Sequence, residues 1–296
     1  MEIKINEKTL DINLENENTL GDVLAGIEQW LSSSGHRIAE LNIDGQTVNA
    51  SMIEEIFSRD IKNIKCININ TTVIAELTAA SLINLLEDIG VFETLSFDEK
   101  KKYYDTWKET PTAMYISSEI PDLYAYCFNT FSSGEISVNT LKTIAEEIQR
   151  EVNFPADEII KIESILNEIC VRLVDLPLDI QTGKDARAAQ TIQIFSAVTE
   201  KLFRIFNQLD IQGYFTSDKP ESKEQIKERK EQLNKKFSDF SGVIKELFDA
   251  YERNDSVLVG DITEYEVSPK LKELYIEIMN NVQDKSLMQK KAQGDK

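Results

Sequence analysis

The hydrophobic period of the chain changes once, near Val73, and that change limits the fold more than any other feature. Before it, apolar residues alternate: Ile3 and Ile5, then Leu10, Ile12 and Leu14. Such segments have one apolar face, as half-buried strands do. After it, apolar residues return about every 3.6 positions, as in VIAELTAASLINLLEDIG, which is the signature of helices packed on one stripe. The expected class is therefore α+β, with residues 1–72 as a small β-rich module and residues 73–284 as a multi-helix domain.

Within the first part, Asn6-Glu7 is placed to turn a hairpin between its two alternating runs. In TLGDVLAGIEQWLSSSG, Thr19 and Asp22 have capping-box spacing, Leu20, Val23, Leu24, Ile27 and Leu31 share a helical face, and Gly35 supplies a left-handed stop. LNIDGQTV gives a strand, an Asp44-Gly45 turn and a short strand. Ser51 and Glu54 suggest a capped short helix through Phe57, and IKCININ a closing strand. Hairpin, helix, strand, short helix, strand is an order that resembles the ubiquitin-like β-grasp fold, in particular its small sulfur-carrier branch. The segments that carry the likeness are IKIN, TLGDVL and LNIDGQTV, about a quarter of the chain. The resemblance implies a compact module with a pairing face used for binding. Carrier chemistry does not follow from it, because the last strand runs through Asn70-Thr71-Thr72 into more chain rather than ending in Gly-Gly.

In the second part, the first helix is expected to stop at Gly90. Further helices are expected over Asp98–Trp107, from Pro121 toward Phe131 with a stop at Gly134, and from Asn139 through Val152. The next carries Ile159, Ile162, Ile165, Leu166 and Ile169 and is interrupted at Pro177. The helix after it is apolar on several sides, with Ala188, Phe195, Leu202 and Leu209 at intervals of seven and Ile194 and Phe203 off that stripe. It belongs at the centre of its domain. YFTSDKPESKEQ reads as a loop. A long charged helix follows over about 220–253, with a seam of Ile226, Leu233, Phe237, Phe240, Ile244, Leu247 and Tyr251. The seam suits antiparallel pairing or a coiled coil. Its first half is so charged that Ile226 and Leu233 are expected to stay partly open, which would favour self-association. SVLVGDITEYEVSP interrupts before a last helix opened by Pro269, and 285–296 reads as a polar, disordered tail.

One short motif raises a catalytic question. Thr182-Gly183-Lys184 precedes a helix, as a phosphate-binding loop does. The full motif is GxxxxGK followed by Ser or Thr. Here Leu178 stands at the first glycine and Asp185 at the hydroxyl position. A helix cap fits better, with Thr182 and Asp185 spaced as a capping box.

Charge removes other possibilities. Thirty-three Lys and Arg against 52 Asp and Glu leave a net charge of −19, which opposes a phosphate grip on nucleic acid and docking on anionic lipid. No apolar run reaches the roughly 20 residues of a membrane-spanning helix. MEIKINEKTL is charged where a signal sequence needs an apolar stretch, and three cysteines without paired spacing fit no closed disulfide set, so a cytoplasmic location is expected. The single histidine, His36, lies in a turn and leaves no pair for a metal or a nucleophile–base couple. No catalytic, cofactor-binding or metal-ligating residue is assigned. Tyr103, Tyr104, Trp107, Tyr115, Tyr124, Tyr126 and Phe128 make the most aromatic stretch; core packing is its default reading and a protein-binding patch, anchored by Tyr104, Trp107 and Tyr115, its functional one. The expected role is a non-enzymatic binding or scaffolding protein acting in a protein assembly, with a protein partner or a second copy. The alternative is a metal-dependent enzyme using Asp and Glu carboxylates.

Overall fold

In a computed structural model that describes residues 1–10, 17–48, 53–215 and 223–282, the chain opens as its alternation requires. Strand β1 (Glu2–Ile5) pairs antiparallel with β2 (Lys8–Leu10). Asn6 and Glu7 both take positive φ, 47° and 66°, the backbone of a turn whose twist matches its strands. Ile12, Leu14 and the Ser51 cap lie outside the described residues. Helix α1 (Leu20–Ser33) starts on the expected capping box: the Asp22 amide donates to Thr19 Oγ1 at 3.3 Å and the Thr19 amide to Asp22 Oδ2 at 3.0 Å. Gly35, at φ 74°, then turns the chain into β3 (His36–Ile43), and Asp44-Gly45 returns it to β4 (Gln46–Thr47). After α2 (Ile53–Phe57) and a 3-10 turn, β5 (Cys66–Val73) runs parallel to β1 and antiparallel to β3. The five strands form one mixed sheet in the order β2-β1-β5-β3-β4. Leu20, Val23, Leu24, Ile27 and Leu31 of α1 are buried in one core with Ile3, Ile5, Ile67 and Ile69 of the sheet.

Helices follow the sheet at once. They are α3 (Ile74–Thr94), α4 (Phe97–Trp107), α5 (Pro111–Glu119), α6 (Pro121–Phe128) and α7 (Val138–Asn153). Gly90 does not stop α3 as expected. It costs a helix interior only about 1 kcal/mol, and the next turn carries Phe92 into the core. Helix α5 was hidden by two prolines ten residues apart. Pro111 is not a terminator but the first residue of the helix, where its missing N–H is harmless, and Thr110 caps it by accepting from the Ala113 amide. Leu82, Leu85, Ile89, Trp107, Ile116, Leu123 and Leu141 form their core. A two-pronged ion pair ties β3 to α5: Arg37 Nη1 and Nη2 each lie 2.8 Å from an oxygen of Glu119.

The chain divides into two compact units after Asn153. The switch of period at Val73 therefore marks where the sheet ends, whereas the compact unit that holds it continues through α7. The second unit is helical throughout its described residues: α8 (Pro155–Gln181), α9 (Asp185–Ile211), α10 (Lys223–Glu252), α11 (Ser256–Asp261) and α12 (Ser268–Asn281), with a π-helical turn over Ile262–Val267. Pro177 does not break α8, which runs on to Gln181. Its ring is instead packed under α11, so close that a Cβ on Gly260 would stand 3.3 Å from Pro177 Cγ. The segment expected as an interruption is α11 and its π turn, with Val259 and Val267 buried. Helix α9 is buried along Ala188, Phe195, Leu202 and Leu209, and its off-stripe Ile194 and Phe203 pack against the same core. Those apolar sides meet different neighbours, which is why the sequence shows no single stripe.

Candidate interaction surface

The residues singled out from sequence separate into those spent on packing and those that face solvent. Trp107 is 2% exposed. Its indole stacks 5.8 Å from the Tyr124 ring and stands edge-on, 5.0 Å away, to Phe131, while Nε1–H donates to Asp88 Oδ2 at 2.9 Å. Tyr104 is half-buried and shares a 3.0 Å hydrogen bond with the Tyr124 hydroxyl. Tyr115 does the same with Thr78 Oγ1 at 2.7 Å. Most of the aromatic stretch thus serves the core of the first unit, while Tyr126 and Phe128 at its end are exposed.

The seam is corrected in the same way. Leu233, expected to stay partly open, is 2% exposed, and Phe240 is 1% exposed. Phe237 stacks on Phe206 of α9 with centroids 3.9 Å apart, and Phe203 lies edge-on to it at 5.1 Å. The second half of the long helix is therefore held by aromatic rings from α9. The charged surroundings of Leu233 misled because charged residues on the outer faces of a helix say nothing about the face that carries the leucine. The side chain of Ile226 lies outside the described residues.

At Thr182-Gly183-Lys184 the structure keeps the capping role but moves it. Thr182 ends α8 rather than starting α9, and its hydroxyl donates to the Leu178 carbonyl at 2.7 Å. Gly183 is left-handed at φ 69°. Its amide donates to Ile180 O at 3.2 Å, and the Lys184 amide to Asp179 O at 2.9 Å, the pair of bonds that closes a helix C-terminus. Both amides that a phosphate would need are already taken. Lys184→Ala should leave ATP and GTP titrations flat in calorimetry, as in the wild type, and Gly183→Ala should cost about 1 kcal/mol in urea unfolding through its left-handed backbone. Micromolar nucleotide affinity lost with Lys184 would overturn the cap.

Other reactive groups are accounted for by packing. Burial pushes the Cys127 thiol up to about 12, and Cys170 also rises through burial. The His36 ring nitrogen Nδ1 lies 2.8 Å from the Ser34 carbonyl. Glu158 is pushed up by burial but more strongly lowered by Lys161 and Lys201, at 2.8 and 3.3 Å. Among the described residues, no three His, Cys, Asp or Glu side chains come together as a metal site, and no helix is long and apolar enough to cross a membrane.

What remains is a groove that the sequence did not disclose. It lies between α1 and β3 in the first unit, with a volume of about 550 Å³, and is walled by Leu24, Ala25 and Glu28 on one side and Ile38 to Leu41 on the other, with Val48 and Phe57 at its end. Three local features build it. The pairing of β3 with β5 shifts register between Ile38 and Glu40. That extra residue lets Ile38 and Leu41, three positions apart, both line the groove, whereas strict alternation would put them on opposite faces. Strand β4 pairs only with Asn42 and Ile43, so it covers little of β3 and reaches the groove only with Thr47 and the Val48 that follows it. Gly21 lets α2 approach α1, since a Cβ there would stand 3.1 Å from the Phe57 carbonyl. Phe57 is 40% exposed at the groove's end. The bulge hides the site from a reading by period, and the only sequence signal was the break in alternation within HRIAELNI.

Residues 1–73 match the family model described as TP0873 N-terminal domain, and residues 157–277 match a domain of unknown function, DUF8042. The chain is similar, at 21% identity over 274 residues, to a protein of Treponema pallidum (strain Nichols) described as uncharacterized, covering 93% of this chain and 94% of that one. No solved structure matches it. The two matched stretches lie on either side of residues 74–156, and the similarity to the relative spans nearly all of both chains.

Proposed function

We propose that the chain is a non-enzymatic binding or scaffolding protein of the cytoplasm that acts within a protein assembly, and that the α1–β3 groove of its first unit is a surface through which it binds. The observation that carries this reading is the groove itself. The proposed aromatic anchors Tyr104, Trp107 and Tyr115 and the seam residues Leu233, Phe237 and Phe240 are engaged in the two cores, whereas Ile38, Leu41, Val48 and Phe57 form an apolar concavity beside a sheet edge. Concave, mainly apolar clefts carrying a few polar groups are where proteins bind other molecules. The rival, a metal-dependent carboxylate enzyme, would retain magnesium or manganese.

Affinity purification at native salt, run in parallel on the wild type and on Ala25→Trp, tests the proposal. Ala25 is exposed on α1 and faces the groove, so tryptophan fills the space without entering the core. Reproducible protein partners held by the wild type and lost by Ala25→Trp are the expected result. Partners indifferent to the substitution would remove the groove from the reading. Stoichiometric magnesium or manganese in the purified chain would favour the enzyme.

A further inference from the structure

We infer that the α1–β3 groove takes an extended peptide, apolar at alternate positions with lysine or arginine between them, which lies alongside the open edge of β3. The inference rests on the binding reading above and gives its partner a chemistry. Three observations point the same way.

The first is backbone. Beyond Asn42 and Ile43, which β4 covers, and Leu41, whose carbonyl accepts from the Val48 amide at 2.8 Å, no described strand pairs with the outer side of β3. The Ile38 amide on that stretch donates to a side chain, Glu28 Oε2, at 3.3 Å. A carboxylate held that loosely is a replaceable partner. An incoming strand would offer peptide carbonyls in its place and gain main-chain hydrogen bonds, the mode by which exposed sheet edges add a strand.

The second is shape. The groove is half-enclosed, with aliphatic residues of α1 on one side and the stretch Ile38 to Leu41 of β3 on the other. An extended chain buries every second side chain and keeps the others in solvent, matching one apolar wall and one open side.

The third is charge. Arg37, the one arginine or lysine on β3, is neutralised by its two-pronged pair with Glu119, and the charged residues lining the groove are Glu28 and Glu40, the latter also accepting from Asn70 Nδ2 at 2.9 Å. Residues 1–73 carry twelve Asp and Glu against six Lys and Arg. A basic peptide is drawn to such a surface and an acidic one repelled.

The test uses the full chain and three synthetic nine-residue probes. One alternates valine and lysine, one has glutamate for every lysine, and one is the valine–lysine peptide with alternate amides N-methylated. Binding is followed by amide shifts in NMR and by anisotropy. The valine–lysine peptide should shift Ile38 to Leu41 and saturate. N-methylation should weaken it at least about tenfold, a loss of roughly 1.4 kcal/mol, and Glu28→Gln with Glu40→Gln should weaken it about threefold to tenfold. The glutamate peptide should not bind. Equal affinity of the N-methylated probe would show mere charge attraction and overturn strand addition. Shifts confined to other surfaces, or no binding by any probe, would overturn the inference as well. If the probes fail while partners are still lost with Ala25→Trp, the groove binds something other than a basic strand and the binding reading stands. If the partners are also indifferent to Ala25→Trp, the groove falls from both.

Discussion

Leu233→Glu should lower the stability of the second unit by about 4 kcal/mol or more, seen as an early loss of far-ultraviolet ellipticity in urea, with no change of molecular mass in light scattering. Leu233 is 2% exposed and shares a core with Phe240, Val243 and Leu247 of α10 and with residues of α8, α9 and α12. Removing a buried leucine costs about 2–5 kcal/mol on its own. A glutamate there must also either ionise in an apolar site or take up a proton to stay neutral. Gln232→Glu, one residue away and exposed, supplies the control and should shift stability by no more than about 0.5 kcal/mol. If Leu233→Glu leaves the melt in place and instead halves the mass of an assembly, the seam is intermolecular after all.

The seam shows what a heptad pattern can and cannot say. Spacing correctly identified Leu233, Phe237, Phe240 and Leu247 as one face, but it contains no address for the partner. Here Phe203 and Phe206 of α9 supply the cover for Phe237. The breadth of apolar residues on α9 is the other half of that interaction, and the central place it implies puts α9 where it can cover the second half of the seam. Ion pairs add the same lesson. Lys236, in the charged half of the helix, reaches Glu273 at 2.8 Å and Glu277 at 3.1 Å on α12, and these two carboxylates raise its affinity for a proton. Part of the charge on this helix thus binds a neighbouring one.

In the first unit, features with a local cause were legible. The Asn6-Glu7 turn, the Thr19–Asp22 capping box and the left-handed Gly35 each depend on a few adjacent residues, and all three are present. Features that depend on which elements meet were not. Gly90 and Pro177 look like stops when helix propensity alone is weighed, and both sit within helices: the turn beyond Gly90 buries Phe92, and the turn beyond Pro177 carries Asp179 to its ion pair with Arg187 at 2.8 Å. The groove needed a register shift, a two-residue edge strand and a close approach at Gly21, and none of these has a periodic signature.

Trp107→Ala should be the most damaging single truncation in the first unit, costing about 3–5 kcal/mol in urea unfolding. The indole is 2% exposed and touches Tyr104, Tyr124 and Phe131, so no neighbour can swing into the space without abandoning its own contacts. Trp107→Phe separates packing from polarity, because it keeps a ring and deletes the N–H that Asp88 accepts. Burial raises the Asp88 carboxyl above the usual carboxylate range, the Trp107 hydrogen bond opposes that rise, and the charge of Glu87 adds slightly to it. A carboxyl raised on folding contributes stability below its unfolded value, and that contribution is lost as pH climbs through the folded value. Without the indole N–H the folded value rises further, so the phenylalanine variant pays an added cost only where Asp88 is ionised. Its destabilisation should therefore be larger at pH 7 than near pH 4, by about 1 kcal/mol, at the lower end for a charged hydrogen bond because Asp88 is only half-buried. A difference between wild type and Trp107→Phe that stays constant across that range would mean the hydrogen bond to Asp88 does not hold the ring, and that packing alone places Trp107.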